Sequence, residues 1–263
     1  MPLNREKRLS HLTDPELRQA MTRLLDCWEK VYRTGITVVS NFFDPCFLQT
    51  GVDILRGLPE LSFSTSGGYV GAERARFAIY PHWEKEAFID YRLAFLDVKG
   101  NSKFSHITHR DYQGSLLALG LTRDKIGDIL VHSKGCQVVL DEDIADYILL
   151  NWQRVAKVPI KVAKIEAEQL EQTFQEKQEM RFTVASPRLD KILSMGFGYS
   201  RSKVLPDIKG GKVRVNWKTV IEPSFQIKKG DIISFSGKGR LHITLLTGPS
   251  HKGRFFIHVN RLR

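Results

Sequence analysis

An amphipathic pattern near the N-terminus is the first clear signal in the chain. Between Asp14 and Arg33, apolar residues recur at helical spacing, at Leu17, Met21, Leu24, Leu25, Trp28 and Val31. Pro15 follows Asp14 as a start signal, and Thr13 or Asp14 can cap the helix. We therefore predict an amphipathic helix that packs its apolar face on its own domain.

The pattern after this helix is less regular. The segment TVVSNFFDPCFLQTGVDILRGLP mixes short apolar runs with Asp-Pro, Gly and Leu-Pro, which predicts a compact but irregular structure. The next segment, FSTSGGYVGAERARFAIYP, predicts a Ser/Gly-rich loop and then a strand that ends at Tyr80. The loop lacks the Lys-Ser/Thr of a P-loop and the spacing of a dinucleotide fingerprint. We interpret it as a flexible connection.

From Ala87 onward, strand patterns alternate with helix patterns. They predict, in order, a strand in AFIDYRLAFLDV, a helix over 108–119, a hairpin of strands 128–132 and 137–140, a helix over 141–155 and a strand over 159–165. This β-α-β-β-α-β order is that of the ferredoxin-like fold, which includes RNA-recognition (RRM-like) sandwiches. The aromatic RNA-recognition consensus is absent, so the order of elements is the one link to RNA in this part.

The last part of the chain predicts two short basic helices. In the first, over 188–195, Arg188 and Lys191 face outward, whereas the inward face carries Leu189, Ile192 and Leu193. Gly196 and Gly198 allow a sharp turn, and Ser200 is placed to cap the second helix. Its first turn holds Arg201, Ser202 and Lys203, whose cations oppose the helix dipole. That arrangement fits an anion bound at this helix end.

A β-hairpin is predicted after the second helix. Pro206 removes one hydrogen bond and bends the helix, and Gly210-Gly211 ends it. Residues 212–215 alternate as a strand, with cations on one face and valines on the other. Asn216-Trp217 turns the chain, and Gly230-Asp231 makes a second turn.

The net charge is concentrated in this last third. The chain carries +11 overall. Residues 181–263 hold 17 lysines and arginines against 4 acids, whereas the other 180 residues hold 23 and 25. A polyanion is the natural partner of such a surface, because neutralising phosphates releases condensed counterions. A solvated basic face and an acidic membrane surface are the alternatives.

Composition excludes several classes of protein. The N-terminus lacks the apolar region of a signal peptide, and no run approaches the ~18 apolar residues of a membrane helix. Cys27, Cys46 and Cys136 are odd in number and far apart, which argues against a disulfide framework or zinc site and suits a reducing compartment. We expect a soluble, cytoplasmic monomer with no membrane partner and no cofactor.

Two histidines near the middle of the chain are weak candidates for a metal site. His106 and His109 lie three residues apart, with Asp111 and Asp128 nearby in sequence. The spacing is generic and no third ligand is specified, so we predict no metal site. No Ser/His/Asp or Cys/His set stands out either, and we predict no catalytic residues.

The basic region resembles the S4 RNA-binding domain, named after a small-subunit ribosomal protein. The resemblance rests on RLDKIL, SRSK, GKVRVN, Lys218 to Pro223 and KKGDII, about a quarter of the chain. In that family two helices and a hairpin grip structured RNA. The resemblance implies RNA contacts at Arg188, Lys191, Arg201, Ser202, Lys203, Lys209, Lys212, Arg214, Asn216 and Lys218. Trp217 departs from the family pattern, because Gly commonly follows the Asn in that family. The helix-bending Pro206 is a second departure.

The upstream segments resemble the YlmH family of cytoplasmic bacterial RNA-binding proteins. The segments are NFFDP, GGYVGAERARFAIYP and THRDYQGSLLALGLTRDKIGDI, placed before an S4 domain. The resemblance implies a non-enzymatic role on the ribosome: binding of rRNA and tRNA on the large subunit that carries peptidyl-tRNA, in rescue of stalled translation.

An RNA-modifying enzyme that uses the S4 module as an accessory is the alternative. A pseudouridine synthase needs a larger catalytic domain after the module, but only about thirty residues follow Asp231. A methyltransferase needs a glycine loop after a strand, and a tyrosyl-tRNA synthetase needs nucleotide-site signatures; neither is found.

The expected architecture is therefore an α+β, multi-domain chain. We predict an N-terminal α/β region over 1–80, a ferredoxin-like domain over 81–166, a linker over 167–180 and an S4-type domain over 181–263. The Glu/Gln-rich composition of 166–180 motivates the linker.

Overall fold

The chain separates into two compact units, Met1–Thr173 and Phe174–Arg263. The structure, a computed structural model, describes residues 4–100, 107–171, 177–249 and 253–262. Within those ranges, no helix has the length and apolar character needed to cross a membrane. The expected mixed helix and strand content and the division into more than one unit are confirmed.

The first unit begins with a three-stranded sheet and its helices. The elements are α1 (Arg5–Leu9), α2 (Pro15–Thr34), β1 (Val38–Phe43), α3 (Pro45–Arg56), β2 (Ser62–Ser66) and β3 (Ala75–Tyr80). The sheet is antiparallel, in the order β1-β3-β2. The predicted N-terminal helix is confirmed as α2: Asp14 caps it through its carboxylate, and all six predicted apolar residues are buried.

The segment after α2 is regular, so the prediction of an irregular structure there is wrong. β1 ends at Phe43, and α3 begins directly at Pro45. Pro at the first position of a helix has a suitable φ and lacks an N–H that would have no partner anyway, so Asp-Pro starts a helix here. Ile54 and Leu55 of α3 are buried with Phe77 in one cluster, which holds the helix on the sheet.

The second part of the first unit is built on a five-stranded sheet. Its elements are β4 (Leu93–Gly100), α4 (His109–Ala118), β5 (Ile126–His132), β6 (Gly135–Asp141), α5 (Ala145–Asn151), β7 (Arg154–Val155) and β8 (Val158–Ile165). The order is β5-β6-β4-β8-β7, and every neighbouring pair is antiparallel. The predicted hairpin and the helix capped by Thr108 are confirmed. The first strand and the last helix are shorter than predicted, because Glu86–Phe88 and Glu142–Ile144 form 3-10 turns.

One face of this sheet is covered by its own helices, and part of the other by the N-terminal elements. Leu96 and Val98 are buried with Tyr112 and Leu116 under α4 and with Ile148 of α5. On the opposite face, the buried cluster joins Val139 of β6 to Phe42 of β1 and to Leu170, with Tyr69 and Phe95 packed against it. Less of this face is therefore open than in an isolated sheet.

The glycine-rich loop is held in place by Asp128, contrary to the interpretation as a flexible connection. The Asp128 carboxylate accepts hydrogen bonds from the Tyr69 hydroxyl (2.6 Å), the Glu73 amide (2.7 Å) and the Arg74 amide (3.1 Å). Burial, followed by the nearby Asp128 charge, raises the pKa of Tyr69, which therefore stays a donor. Asp128 thus has a structural role in the loop.

The second unit is a six-stranded antiparallel sheet with two helices on one face. Its elements are β9 (Lys177–Val184), α6 (Leu189–Phe197), α7 (Arg201–Lys209), β10 (Val213–Val215), β11 (Lys218–Thr219), β12 (Ile232–Phe235), β13 (Gly239–Thr247) and β14 (Phe255–Leu262). The order is β11-β10-β12-β13-β14-β9. One buried cluster joins Leu189 and Leu193 of α6, Val204 of α7, and Ile233 and Leu241 of the sheet.

The expected linker is shorter than predicted. Residues 177–180 lie in β9 and pair with β14, and Ala167–Gln169 form a 3-10 turn followed by buried Leu170. The segment is polar because alternate residues of an edge strand face solvent, with Met180, Phe182 and Val184 facing the core. A polar composition by itself did not distinguish such a strand from a tether.

Candidate nucleic-acid interface

A buried carboxylate organises the corner between α6 and α7. Asp190 has no solvent exposure. Arg188 donates to both of its oxygens, from Nε at 3.1 Å and Nη2 at 3.3 Å, and Arg201 at the start of α7 donates to Oδ2. Two of the arginines predicted to bind RNA are therefore held side by side by one residue of the interior.

The charge state of this corner follows from its contacts. Burial by itself raises the pKa of Asp190, but the hydrogen bonds from Arg188 and Arg201 outweigh it, and the net pKa is lowered. The side-chain hydrogen bond to Asp190 raises the pKa of Arg188. Asp190 and Arg188 are thus charged at neutral pH, and with the guanidinium of Arg201 the corner carries one net positive charge. The remaining N–H groups of the two guanidinium forks are available for phosphate oxygens.

The start of α6 is closed by a neighbouring segment. The Leu189 and Asp190 amides donate to the carbonyl oxygens of Phe225 (2.9 Å) and Pro223 (3.1 Å). In the same segment, Glu222 accepts hydrogen bonds from Ser224, and these bonds are the largest cause of the lowered pKa of Glu222. The positive charges of Arg188 and Lys209 lower this pKa further. Arg188 and Lys209 therefore both act electrostatically on this one carboxylate.

The start of α7 carries exposed cations, Lys203 and Arg201, of which Arg201 also pairs with Asp190. Ser200 occupies the N-cap position, but its hydroxyl contacts the Ser202 hydroxyl (2.9 Å) and caps no amide. Arg201, Ser202 and Lys203 are exposed, and the first turn holds no acid. The helix continues through Pro206 to Lys209. This helix end has the features predicted from the sequence for meeting an anion.

The hairpin displays its cations as the alternation predicted. In β10, Val213 and Val215 are buried and Arg214 is exposed. Lys218 lies opposite Val215 on β11 and is exposed. Lys212 is partly engaged, because its Nζ lies 2.7 Å from the Asp207 carboxylate of α7. On α6, the Lys191 Nζ donates to the Ser186 hydroxyl at 3.0 Å.

The turn of the hairpin is built by Asn216. Asn216 and Trp217 both have positive φ, 49° and 64°, as a tight two-residue hairpin turn requires. The Asn216 Oδ1 accepts from the Ile232 amide and its Nδ2 donates to the Asp231 carboxylate, both at 2.9 Å. The side chain that was predicted to contact RNA thus joins the two turns of the domain.

Replacing Asn216 by alanine is expected to destabilise the second unit by about 1–3 kcal/mol, because two hydrogen bonds are lost and a Cβ residue remains at positive φ. Asn216→Gly loses the same hydrogen bonds, but glycine tolerates this φ, so the loss of stability should be smaller. Pulse proteolysis in urea, with fragments of residues 174–263 identified by mass, measures both. Equal losses for the two variants would contradict the strain at this turn.

Two organising residues were missed by sequence reasoning. Asp190 stands in the RLD triplet next to Arg188, but its link to Arg201, eleven residues later, exists only after the helices turn at Gly198. Glu222 gave no signal in the sequence. No cluster of three potential metal ligands occurs in the described ranges. Asp111 forms the capping box of α4 with Thr108, and His106 lies outside the described residues.

Three family models match successive segments of the chain. They are the YlmH N-terminal model at residues 16–82, the putative RNA-binding domain in YlmH at 87–169 and the S4 domain at 187–233. The ribosome-associated protein quality control protein P2 of Bacillus subtilis (strain 168) is 30% identical over 238 residues, covering 89% of this chain and 91% of that protein. The chain belongs to the YlmH family.

Two further proteins are similar to parts of this chain. The cell division protein YlmH from Streptococcus pneumoniae has a solved structure that covers 60% of this chain and 96% of its own, with a TM-score of 0.51 and 22% identity, and so supports the fold alone. The small ribosomal subunit protein uS4 of Acidithiobacillus ferrooxidans (strain ATCC 53993 / BNL-5-31) is 36% identical over 59 residues, which are 22% of this chain and 28% of that protein. As a YlmH family member, the chain carries RNA-binding domains and is homologous to a ribosome-associated quality control protein.

Proposed function

We propose that this protein is a non-enzymatic RNA-binding protein that docks on structured RNA through the α6–α7 corner and the β10–β11 hairpin. The observation that carries the proposal is the Asp190 cluster, which holds Arg188 and Arg201 in place beside the acid-free first turn of α7. Such a surface matches the shape and phosphates of a folded RNA, because most contacts to a nucleic-acid backbone fix position and carry no base information. The ten residues predicted from the sequence remain the proposed contacts.

We further propose rRNA and tRNA on the large ribosomal subunit as the target, with peptidyl-tRNA present in rescue of stalled translation. The support is similarity over nearly the whole chain to a protein whose name places it in ribosome-associated quality control. A cytoplasmic monomer fits this role.

The part over residues 81–166 is proposed to be ferredoxin-like. The support is the strand order β8-β4-β6-β5 with antiparallel neighbours, to which β7 adds an edge. Aromatic stacking on an open sheet face, as in RNA-recognition domains, is not proposed here, because Phe42, Tyr69 and Leu170 pack at that face. The division into an N-terminal region, this domain and the S4-type domain is retained on the same grounds.

The test measures binding of the purified full chain to large subunits, small subunits and free tRNA across a range of salt concentrations. We expect tighter binding to large subunits, and tighter still when peptidyl-tRNA is present. Affinity should fall steeply with salt, because each phosphate contact contributes roughly one unit of slope in a plot of log affinity against log salt. Equal binding to both subunits would contradict the large subunit as the proposed target. Affinity that does not change with salt would contradict binding through the cations of the α6–α7 corner and the hairpin.

Replacing Asp190 distinguishes two roles of its carboxylate, the positioning of Arg188 and Arg201 and the contribution to net charge. Asp190→Asn removes a negative charge from a cationic surface, so a role limited to net charge predicts tighter RNA binding. If the carboxylate positions Arg188 and Arg201, affinity should instead fall about fivefold, since both side chains must then be ordered on binding. Asp207→Asn is the matched control: it removes the same charge beside Lys212 and should leave affinity unchanged or raised. Fluorescence anisotropy with labelled tRNA reads both variants, and tighter binding by Asp190→Asn would contradict the positioning role.

A further inference from the structure

The six-stranded sheet of the second unit has an outer face that the proposed RNA site does not use. The inner face packs on α6 and α7 through residues such as Ile257 and Val259. Strands β9, β13 and β14 lie outside the S4 domain match at residues 187–233. The outer side chains of these strands therefore belong to neither the helix corner nor the hairpin.

An exposed aromatic pair marks the centre of this outer face. Phe256 on β14 is 41% exposed, and its ring lies 4.8 Å from that of His258, two residues further along the strand. The register places Phe256 between Thr183 and Thr247, both exposed. An exposed Phe with small polar neighbours leaves the ring open to a flat partner, and nucleic-acid bases stack on such rings.

One arginine lies beside the pair and another lies further along the same face. Arg181 lies opposite His258 on β9 and is exposed. Arg240 of β13 lies opposite Leu262, four residues along β14 from His258. In the strands that the structure describes, Glu179 is the one acid on this face. Arg181 and Arg240 outnumber Glu179, so this face carries a small positive excess, which favours an anionic strand as the partner.

The face is continuous with the hairpin of the proposed RNA site. Arg214 of β10 lies opposite Ser234 of β12, which lies opposite Arg240 of β13. Four spacings of about 4.8 Å between neighbouring strands place β10 and β9 roughly 19 Å apart across the sheet. Arg181 also lies four residues, about 13 Å, along β9 from the position level with Arg214 and Arg240. A single strand of RNA leaving the hairpin could therefore cross the sheet diagonally, from Arg214 and Arg240 to the aromatic pair.

We propose that the outer face of β9, β13 and β14 is a second RNA-binding surface that takes an unpaired RNA segment. Phe256 stacks against a base, His258 supports the ring, and Arg181 and Arg240 neutralise phosphates. The surface accepts any base sequence, because every base has a π-face on which Phe256 can stack. It extends the proposed docking on structured RNA by adding a place for single-stranded RNA beside it.

The test uses the full chain and a labelled oligouridine as the probe, because oligouridine has no fold for the S4 surface to grip. Wild type should bind it, and Phe256→Ala combined with Arg181→Ala should weaken binding about tenfold or more. Phe256→Tyr keeps an aromatic ring and should bind as wild type does. Phe256→Leu keeps apolar area and Arg181 but has no ring, and it should bind as weakly as Phe256→Ala alone. Thermal melting checks that each variant is folded.

The outcomes separate this surface from the proposed S4 site. Replacing Arg201 and Lys203 should leave most oligouridine binding intact while it removes tRNA binding. Oligouridine binding that depends on Arg201 and Lys203 but not on Phe256 would overturn the second surface and leave the S4 proposal standing. Wild-type affinity in Phe256→Leu would also overturn it, because the face would then be an apolar contact for a protein. Dependence on Phe256 without any ribosome binding would support the second surface while the S4 proposal fails.

Discussion

Replacing Arg201 and Lys203 together by alanine is expected to weaken binding to structured RNA about a hundredfold at moderate salt. Both cations are exposed in the first turn of α7, which holds no acid of its own, and Arg201 also pairs with Asp190 of α6. Each charged hydrogen bond to a phosphate contributes about 1.5 kcal/mol or more, so two lost contacts amount to about 3 kcal/mol. The slope of log affinity against log salt should also become shallower by about two units.

The control for this double variant removes two positive charges at another place in the same unit. Lys228 and Lys229 are exposed in the same unit, before β12, and are not among the proposed contacts. Replacing both by alanine lowers the net charge equally and should reduce affinity far less. Filter binding with tRNA and with large subunits measures both variants. Equal losses would mean that affinity follows total charge and that α7 has no special place in binding.

Replacing Asp141 by asparagine is expected to destabilise the first unit by about 3–5 kcal/mol. Asp141 is 1% exposed, and its Oδ2 lies 3.2 Å from Nη2 of Arg76 and 2.6 Å from Nζ of Lys125. Arg76 is buried and fixed by three backbone carbonyls, so it cannot turn to solvent when its counter-ion is removed. Breaking such a pair leaves a desolvated charge without compensation.

The measurement for Asp141 exploits the positions of the tryptophans. Three of the four, Trp28, Trp83 and Trp152, lie in the first unit, so in a Trp217→Phe background fluorescence reports that unit during urea unfolding. Asp143→Asn is the matched control. Its carboxylate pairs with Arg92 at the surface, where an ion pair is worth about 0–1 kcal/mol. A similar loss in both variants would contradict the role of burial.

Local sequence patterns predicted most of the elements that this protein forms. The spacing of Leu17 to Val31 predicted α2, and the alternation of valines and cations predicted β10, because both patterns follow from the period of the backbone. The segment around Asp44-Pro45 was misjudged, since Pro both breaks helices and begins them. Strand β9 was missed because one face of an edge strand is polar.

The candidate site was predictable in its residues and not in its arrangement. The charge count and the S4 motifs named Arg188, Arg201 and Lys203 from the sequence. No local pattern indicated that one buried carboxylate joins the first two, or that the Asn216 side-chain amide forms hydrogen bonds with Ile232 and Asp231. These are contacts between residues 11 to 16 positions apart, and no local period encodes them.

By itself, the sequence determined the family, the order of most helices and strands and the location of the basic excess, because each of these depends on local composition or on motifs. Tertiary structure decided what the interior does with charge. It buried Asp190 between two arginines, buried Asp141 against Arg76 and Lys125, and closed the glycine-rich loop onto Asp128. It also gave β14 an outer face with an exposed Phe256. The physical reason is that burial, unlike helical or strand periodicity, is a property of the assembled chain.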